Sequence, residues 1–477
     1  NIRNKKSLYE LKFLTWFKTQ KNYLCVNSIL MKSPEIKHGS AWKLDQRFVD
    51  ADKKNLKLIF YAFIVGIVAG LIGSAFRLFL DYISEFRNSL FNNAGDNGFI
   101  SWIWPFLFAI IGITVALLLV KKFAPEAAGS GVQEIEGALD GIRPLRWKRV
   151  LPIKFIASLF SLGSGLLLGR EGPTIQIGAN VGKMVKDVFK QHEDNTNPLV
   201  SSGAAAGLAC AFNAPFAGII FVIEEMHGHF RYNFYSIAAI MVASGTADFV
   251  VRLLVGAHPV IQMTVFDTPH ISGIWMFILL GGLFSLIGYA FNKLLILVLD
   301  LFKDISRKGI ILTGIIGGVV IVVIGIMFPE MIGGGYGTIR EVLDHSFTVY
   351  MLIFIFIGRM ILTIFSYGTG VPGGIFAPMI ALGVVFGMLF GTTMEYFFPG
   401  IVSHPGIFAV AGMAGIFAST VRAPLTGLVL AVEMTSNYEL ILPLIITTVT
   451  ASVITAQLGN EPIYATLLKR ALANTKK

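Results

Sequence analysis

The sequence predicts an all-α polytopic membrane protein, on the strength of its composition and its apolar stretches. Of the 477 residues, 54% are hydrophobic and only 14% are charged, whereas a soluble domain carries about 25% charged residues. The mean hydropathy is +0.69. Several apolar stretches reach the roughly 20 residues that a membrane-spanning helix needs, among them Leu58–Leu80, Ile100–Val120 and Ile274–Leu297.

Two further apolar stretches, Ile153–Leu168 and Ile375–Leu389, are short or interrupted. We expect them to form half-spanning or re-entrant pieces rather than full crossings. The 50 glycines fit this class of protein, because glycine lets membrane helices pack closely.

The net charge of +10 would favour nucleic-acid binding in a soluble protein, but in a membrane protein it indicates which loops are cytoplasmic. We expect no nucleic-acid partner and assign the basic clusters to the cytoplasm. These are the segment that ends at Lys57 and residues 143–149, 303–308 and 469–477. Both termini are then cytoplasmic, and the number of crossings is even.

Residues 1–54 are interpreted as a basic cytoplasmic segment without the layout of a signal peptide. The first methionine is Met31, so we expect residues 1–30 to lie upstream of the physiological start or to form a variable extension. Cys25 and Cys210 are far apart in the sequence, which argues against a disulfide framework.

An internal duplication divides the apolar region, residues 55–460, into halves of about 55–256 and 270–460. Residues 211–226 read AFNAPFAGIIFVIEEM, and residues 420–434 read TVRAPLTGLVLAVEM. Both copies contain Ala-Pro-x-x-Gly, then mostly apolar residues, then a glutamate. The repeat alone leaves open whether the halves are parallel or inverted.

Each copy follows a segment broken by glycine and proline, residues 169–178 in the first half and 370–383 in the second. Broken segments at matching positions of two halves point to the binding site of a transporter. Glu171 lies in the first of them, and a carboxylate at membrane depth indicates a functional site. Because Pro173 suits a first helical turn, we predict that Glu171 begins a helix, where free N–H groups attract anions. A purely capping role is the alternative.

Four segments, in this order, resemble the CLC family of chloride channels and chloride/proton antiporters, and most of all its short bacterial antiporters. They are Gly129–Gln133, Gly169–Pro173, Gly373–Pro378 and Tyr464. The likeness covers almost the whole chain from about residue 55. We expect residues 461–477 to form a cytoplasmic tail that begins with the Tyr464 segment and carries no regulatory domain.

The resemblance implies two inverted halves, a homodimer with one pathway per subunit, and a place in the bacterial inner membrane. It also implies an anion site at Ser130, Ile375, Phe376 and Tyr464, to which we add the neighbouring Gly374. Hydroxyls and helix N-terminal amides suit this site because they offer partial charges, which do not hold chloride too tightly to release it. Chloride is expected as substrate, with no cofactor and no metal.

The resemblance further implies that ionised Glu171 competes with chloride and that protonated Glu171 swings away. Glu225, at the end of a predicted helix Gly218–Glu225, matches the internal proton-transfer glutamate of the antiporters. These two acids favour secondary active exchange of chloride for protons, and not an enzyme. A passive gated chloride channel and an antiporter for fluoride or nitrate are the nearest alternatives; a membrane metalloprotease and an amino-acid permease are more distant ones.

Gln133 departs from the family pattern, which usually has proline there. Ser130, which in the family accompanies a preference for chloride over nitrate, is retained, so we expect chloride as the anion, while Gln133 leaves the exact selectivity and turnover open. Glu224 and Glu433 hold matching repeat positions. We expect Glu224 to be structural or an aid to hydration, and Glu433 to be a buried, hydrogen-bonded structural acid, with a role in transport as the alternative. Lys154 either adds positive potential for anions or snorkels to the interface.

Overall fold

The computed structural model describes residues 46–94, 98–191, 196–226, 233–258, 260–261, 263, 265–303, 307–345 and 347–475. In these ranges the regular structure is helical, apart from two isolated β-bridges, as the sequence predicts. Seventeen α-helices are described: α1 Gln46–Asn92, α2 Ile103–Phe123, α3 Val132–Leu139, α4 Trp147–Gly163, α5 Glu171–Val188, α6 Thr196–Phe212, α7 Pro215–Glu225, α8 Phe234–Leu254, α9 Ile274–Leu301, α10 Arg307–Met327, α11 Tyr336–Asp344, α12 Val349–Gly368, α13 Phe376–Phe397, α14 Gly406–Thr420, α15 Pro424–Thr435, α16 Ile441–Gln457 and α17 Ile463–Thr475.

Eight helical segments in the described part of the chain are long and apolar enough to cross a membrane. They are Leu56–Asn92, Ile100–Phe123, Phe234–Leu254, Ile271–Leu301, Lys308–Met327, Val349–Gly368, Phe376–Phe397 and Tyr438–Gln457. The three spans named from the sequence are confirmed. The prediction of a short piece at Ile375–Leu389 was wrong, because this stretch belongs to the 22-residue helix α13. The break indicated by its glycines lies before Phe376, not within the helix.

The two halves repeat the same order of elements. A short 3₁₀ turn, Pro125–Ala127 in the first half and Pro329–Met331 in the second, precedes the short helices α3 and α11. Each of these helices opens after a glycine with positive φ, +88° at Gly131 and +110° at Gly335. Glycine is the residue that adopts this backbone conformation without steric cost.

The halves are inverted, as the resemblance implied. The repeat-related helices α7 and α15 run antiparallel, because the carboxylate at the end of each one is bonded to the start of the other. The pairs α5–α6 and α13–α14 form the most closely packed helix contacts of the first and second half. The site described below lies where the broken segments of the two halves meet.

Candidate functional site

Three broken segments of the chain are tied together by their backbones. Gly129 donates its N–H to the carbonyl of Val371 at 3.1 Å, and Gly373 donates to the carbonyl of Gly129 at 3.0 Å. Gly169 and Gly374 exchange two hydrogen bonds of 2.7 Å each. These bonds bring the starts of α3, α5 and α13 together, so that three helix N-termini surround one place. Such an arrangement favours negative charge.

Lys154 holds the loop that precedes α3. Its side chain is fully buried, and Nζ donates to the carbonyls of Ala127, Gly129 and Ser130 at 3.0, 2.7 and 3.2 Å. The snorkelling interpretation is therefore wrong, because the ammonium group points into the protein and is bonded there. Lys154 instead fixes the position of Ser130 and adds a positive charge behind it.

Ser130 and Tyr464 carry buried hydroxyls without a normal hydrogen bond. Both residues have no solvent exposure, and neither hydroxyl makes a hydrogen bond of normal geometry in the described part of the chain, although the two hydroxyls interact with each other. The N–H of Ser130 donates to the hydroxyl of Tyr367 at 3.3 Å. Tyr464 belongs to α17, which packs against α3, and its ring lies 5.6 Å from that of Phe376. Because a buried polar group without a partner is costly, two such hydroxyls in one place suit a bound anion.

Glu171 begins α5, with Pro173 in the first turn, as predicted. Its carboxylate is fully buried and lies at the start of α13. Oε2 accepts a hydrogen bond from the N–H of Ala377 at 3.3 Å, and Oε1 accepts one from the hydroxyl of Tyr336 at 2.6 Å. The carboxylate thus occupies a place at a helix N-terminus that an anion could take.

Of the three amides expected at the anion site, that of Gly374 faces elsewhere. Its N–H is bonded to the carbonyl of Gly169, so the expectation that it serves the anion does not hold in this structure. Ile375 and Phe376 are buried at the start of α13. Among the described hydrogen bonds, none is donated by either of their N–H groups, so these two amides remain available.

Glu225 ends α7, as predicted, and lies near a second acid. Glu136 of α3 is almost fully buried, and it interacts electrostatically with Glu225. Its Oε1 has no hydrogen-bond partner in the described part of the chain. Tyr464 is within electrostatic reach of both acids. Glu225 and Glu136 are therefore neighbouring carboxyl groups, and both act electrostatically on Tyr464.

A cavity of about 460 Å³ opens beside the Ser130 loop. Its lining includes Gly129, Gln133 and Tyr367, and the cations Arg143, Lys303 and Arg470. Lys121 and Glu134 also line it, and Glu134 forms an ion pair with Arg143 at 2.8 Å. The lining thus carries more positive than negative charge, which favours anions. Gln133 lines this cavity, and its buried Oε1 atom has no hydrogen-bond partner in the described ranges.

Sequence reasoning missed Tyr336, Ala377, Tyr367 and Glu136. For Tyr336 a signal was present, because residues 329–335 repeat the pattern Pro-Glu-x-x-Gly-x-Gly of residues 125–131. The first pattern leads into the Ser130 helix α3, and the second leads into α11, whose first residue is Tyr336.

The sequence of residues 111–456 matches the family described as Voltage gated chloride channel. The chain is therefore a membrane transport protein rather than an enzyme, and it belongs to this family. It is 43% identical over 455 residues to the H(+)/Cl(-) exchange transporter ClcA of Vibrio vulnificus (strain YJ016), covering 94% of this chain and 96% of the relative.

The corresponding transporter of Vibrio cholerae serotype O1 (strain M66-2) is 45% identical over 434 residues, covering 90% of this chain and 93% of the relative. Among solved structures, a slow cyanobacterial Cl-/H+ antiporter is similar with a TM-score of 0.85 and 37% identity, covering 88% of this chain and 99% of that one. A CLC-type fluoride/proton antiporter shares the fold at 20% identity, with a TM-score of 0.69, covering 84% and 95% of the two chains.

Proposed function

We propose that this protein is a secondary active transporter that exchanges chloride for protons across the bacterial inner membrane. The observation that carries the proposal is the position of the Glu171 carboxylate on the N-terminus of α13. There an ionised side chain and a chloride ion compete for the same partial positive charge. Ionised Glu171 excludes chloride from the start of α13, and protonated Glu171 leaves that position to chloride. The movement of chloride is thereby coupled to the movement of protons.

The anion path begins in the cavity beside Gln133, where four cations and one acid give a net positive lining that raises the local anion concentration. It continues to the hydroxyls of Ser130 and Tyr464 and to the amides of Ile375 and Phe376. These donors carry partial charges, so they replace water around chloride without trapping it. The relatives named H(+)/Cl(-) exchange transporters support chloride as the anion.

The proton path begins at Glu225 and ends at Glu171. Glu136 lies next to Glu225, and two neighbouring carboxyl groups in a buried setting favour the state in which one holds a proton. One of these two carboxyl groups can therefore bind a proton inside the protein before the proton moves on. The step from there to Glu171 passes close to Tyr464.

The protein is further proposed to form a homodimer, with each subunit carrying a complete pathway and with both termini in the cytoplasm. The family resemblance supports the dimer, and the basic clusters support the orientation. Light scattering of the purified protein in detergent tests the dimer, and labelling of single cysteines from either side of a vesicle tests the orientation.

Purified protein in liposomes with a chloride gradient and no initial proton gradient tests the exchange. External pH is recorded together with chloride efflux. We expect chloride to drive proton movement and Glu225→Gln to block it, while Glu439→Gln, at an exposed position, leaves coupling intact. Chloride flux without any pH change would instead identify a passive channel. A competition series with fluoride and nitrate tests the alternative anions.

A further inference from the structure

We propose that Tyr336 is a positioning residue that acts as a latch: its hydroxyl holds the ionised Glu171 side chain at the start of α13, where chloride would otherwise bind. The latch thereby sets the pH at which exchange becomes fast. This inference rests on the proposed function, because it assigns a partner to the acid that gates the pathway. The partner comes from the second half of the chain, 165 residues away in sequence.

The contact between the two side chains is short and directional. The Tyr336 hydroxyl donates to Oε1 of Glu171 at 2.6 Å, within the range of a charge-assisted O–H···O bond. The other oxygen, Oε2, accepts from the N–H of Ala377 at 3.3 Å. The tyrosine bond is therefore shorter than the bond to Ala377, and the backbone N–H of Glu171 itself also interacts with the carboxylate.

The Tyr336 ring is held in place from its face. The guanidinium of Arg170 lies 5.0 Å from the ring centroid, a cation–π distance. Arg170 is buried and forms an ion pair with the exposed Asp81 of α1 at 3.7 Å. The tyrosine is half-buried, so it lies between the buried carboxylate and the protein surface.

The backbone that carries Tyr336 is fixed as well. Gly335, directly before it, has a φ of +110°, and an added Cβ there would lie 2.7 Å from the side chain of Ala381. The fully buried Arg359 donates to the carbonyls of Glu330 and Gly333, each at 3.2 Å. The hydroxyl thus projects from the start of α11, directly after a loop that the buried Arg359 holds in position.

In the first half, too, a buried cation binds the loop before a short helix. Lys154 binds the loop that carries Ser130 as Arg359 binds the loop before Tyr336. Residues 154–165 and 359–370 match in spacing, each running from the cation to a glycine with positive φ. Each half therefore supplies one hydroxyl near the start of its short helix: that of Ser130 belongs to the candidate anion site, and that of Tyr336 holds Glu171.

A donor bonded to a carboxylate favours its ionised form over its protonated form. The bond to Tyr336 therefore stabilises docked, ionised Glu171, and it weakens when the acid takes up a proton. The other charged groups around the carboxylate are Arg170, with Asp81 and Arg77 of α1 behind it, and Arg359 beneath the Tyr336 loop. All of them remain when only the tyrosine hydroxyl is removed.

The test is Tyr336→Phe, which keeps the ring under Arg170 and removes only the donor. In liposomes, we expect the curve of chloride-driven proton flux against pH to move to higher pH by about one unit, and exchange at pH 7 to become roughly tenfold faster. Calorimetry at pH 7 is expected to give about tenfold tighter chloride binding, because Glu171 without the bond from Tyr336 competes less strongly with chloride. Tyr61→Phe, which removes a hydroxyl from a ring that packs on Phe189, directly after α5, is the matched control and should leave all three quantities unchanged.

A double variant separates a latch from a general effect on the fold. If Tyr336 acts through Glu171, adding Tyr336→Phe to Glu171→Gln changes neither chloride flux nor chloride affinity relative to Glu171→Gln alone. An unshifted pH curve in Tyr336→Phe, or an equal effect in both backgrounds, overturns the latch. Absence of chloride-driven proton movement in the unmodified protein is a different result, since it overturns the proposed exchange itself.

Discussion

Glu224 and Glu433 cap each other's helices across the junction of the two halves. The carboxylate of Glu224, near the end of α7, accepts hydrogen bonds from the backbone N–H groups of Leu425 and Thr426 in α15, at 3.0 and 2.7 Å. The carboxylate of Glu433, near the end of α15, accepts from the second and third residues of α7 at 3.1 and 2.6 Å. Each acid thus meets the positive end of the other helix.

Neutralising either member of this pair is expected to destabilise the protein to a similar degree. Glu224→Gln or Glu433→Gln should each cost about 1–2 kcal/mol, because each loses the charge that interacts with a helix N-terminus. Thermal unfolding in detergent measures the loss. Glu439→Gln, at an exposed position, is the control and should not change the midpoint. A large loss for one acid and none for the other would show that the two caps are not equivalent.

Glu171→Gln is expected to abolish proton movement while chloride still flows. Glutamine keeps the size of the side chain but carries no titratable proton, and it cannot bring a negative charge to the start of α13. Parallel recordings of pH and chloride in liposomes measure both quantities. Normal proton coupling in this variant would remove Glu171 from the mechanism.

The parts of the site that depend on local chemistry could be predicted from the sequence. Glu171 at a helix start follows from the glycines and the proline around it, and the end of α7 at Glu225 follows from the apolar run before it. The equivalence of Glu224 and Glu433 is visible in the two copies of the repeat. Each of these predictions needs only residues that lie close together along the chain.

The parts that depend on contacts between the halves could not be predicted in this way. The motif containing Gly374 does not reveal that its amide pairs with Gly169, because 205 residues separate the two partners in sequence. The bond from Tyr336 to Glu171 likewise forms only after the halves have packed together. A sequence motif identifies a donor, but folding decides whether that donor is free.

Lys154→Met is expected to weaken chloride binding by about tenfold. Methionine fills similar space, but three carbonyls of the Ser130 loop lose their donor and the site loses a buried positive charge. Calorimetric titration with chloride measures the affinity. Lys148→Met changes a lysine at the start of the same helix α4 without touching that loop, and it should leave the affinity unchanged. Unaltered binding in Lys154→Met would mean that the loop keeps its position without the ammonium group.

Helices α5 and α6 cross at a pair of glycines that leaves no room for a side chain. A Cβ on Gly178 would lie 2.1 Å from the carbonyl oxygen of Gly203, and a Cβ on Gly203 would lie 2.1 Å from that of Gly178. In the second half, Gly383 and Gly412 form the same contact, with corresponding distances of 2.3 and 2.1 Å. Backbone is in contact with backbone at both crossings, so the helices must separate to admit a methyl group.

Gly178→Ala is therefore expected to destabilise the protein by about 1–3 kcal/mol, the usual cost of overpacking. Gly245→Ala is the matched control, because this glycine lies within helix α8 and an added Cβ meets nothing within 4 Å. Alanine should be neutral or stabilising there, since it is the better helix former. Thermal unfolding in detergent compares the two variants. Equal midpoints would show that α5 and α6 can move apart at no cost, and a drop confined to Gly178→Ala would show that the close crossing contributes to the stability of the first half.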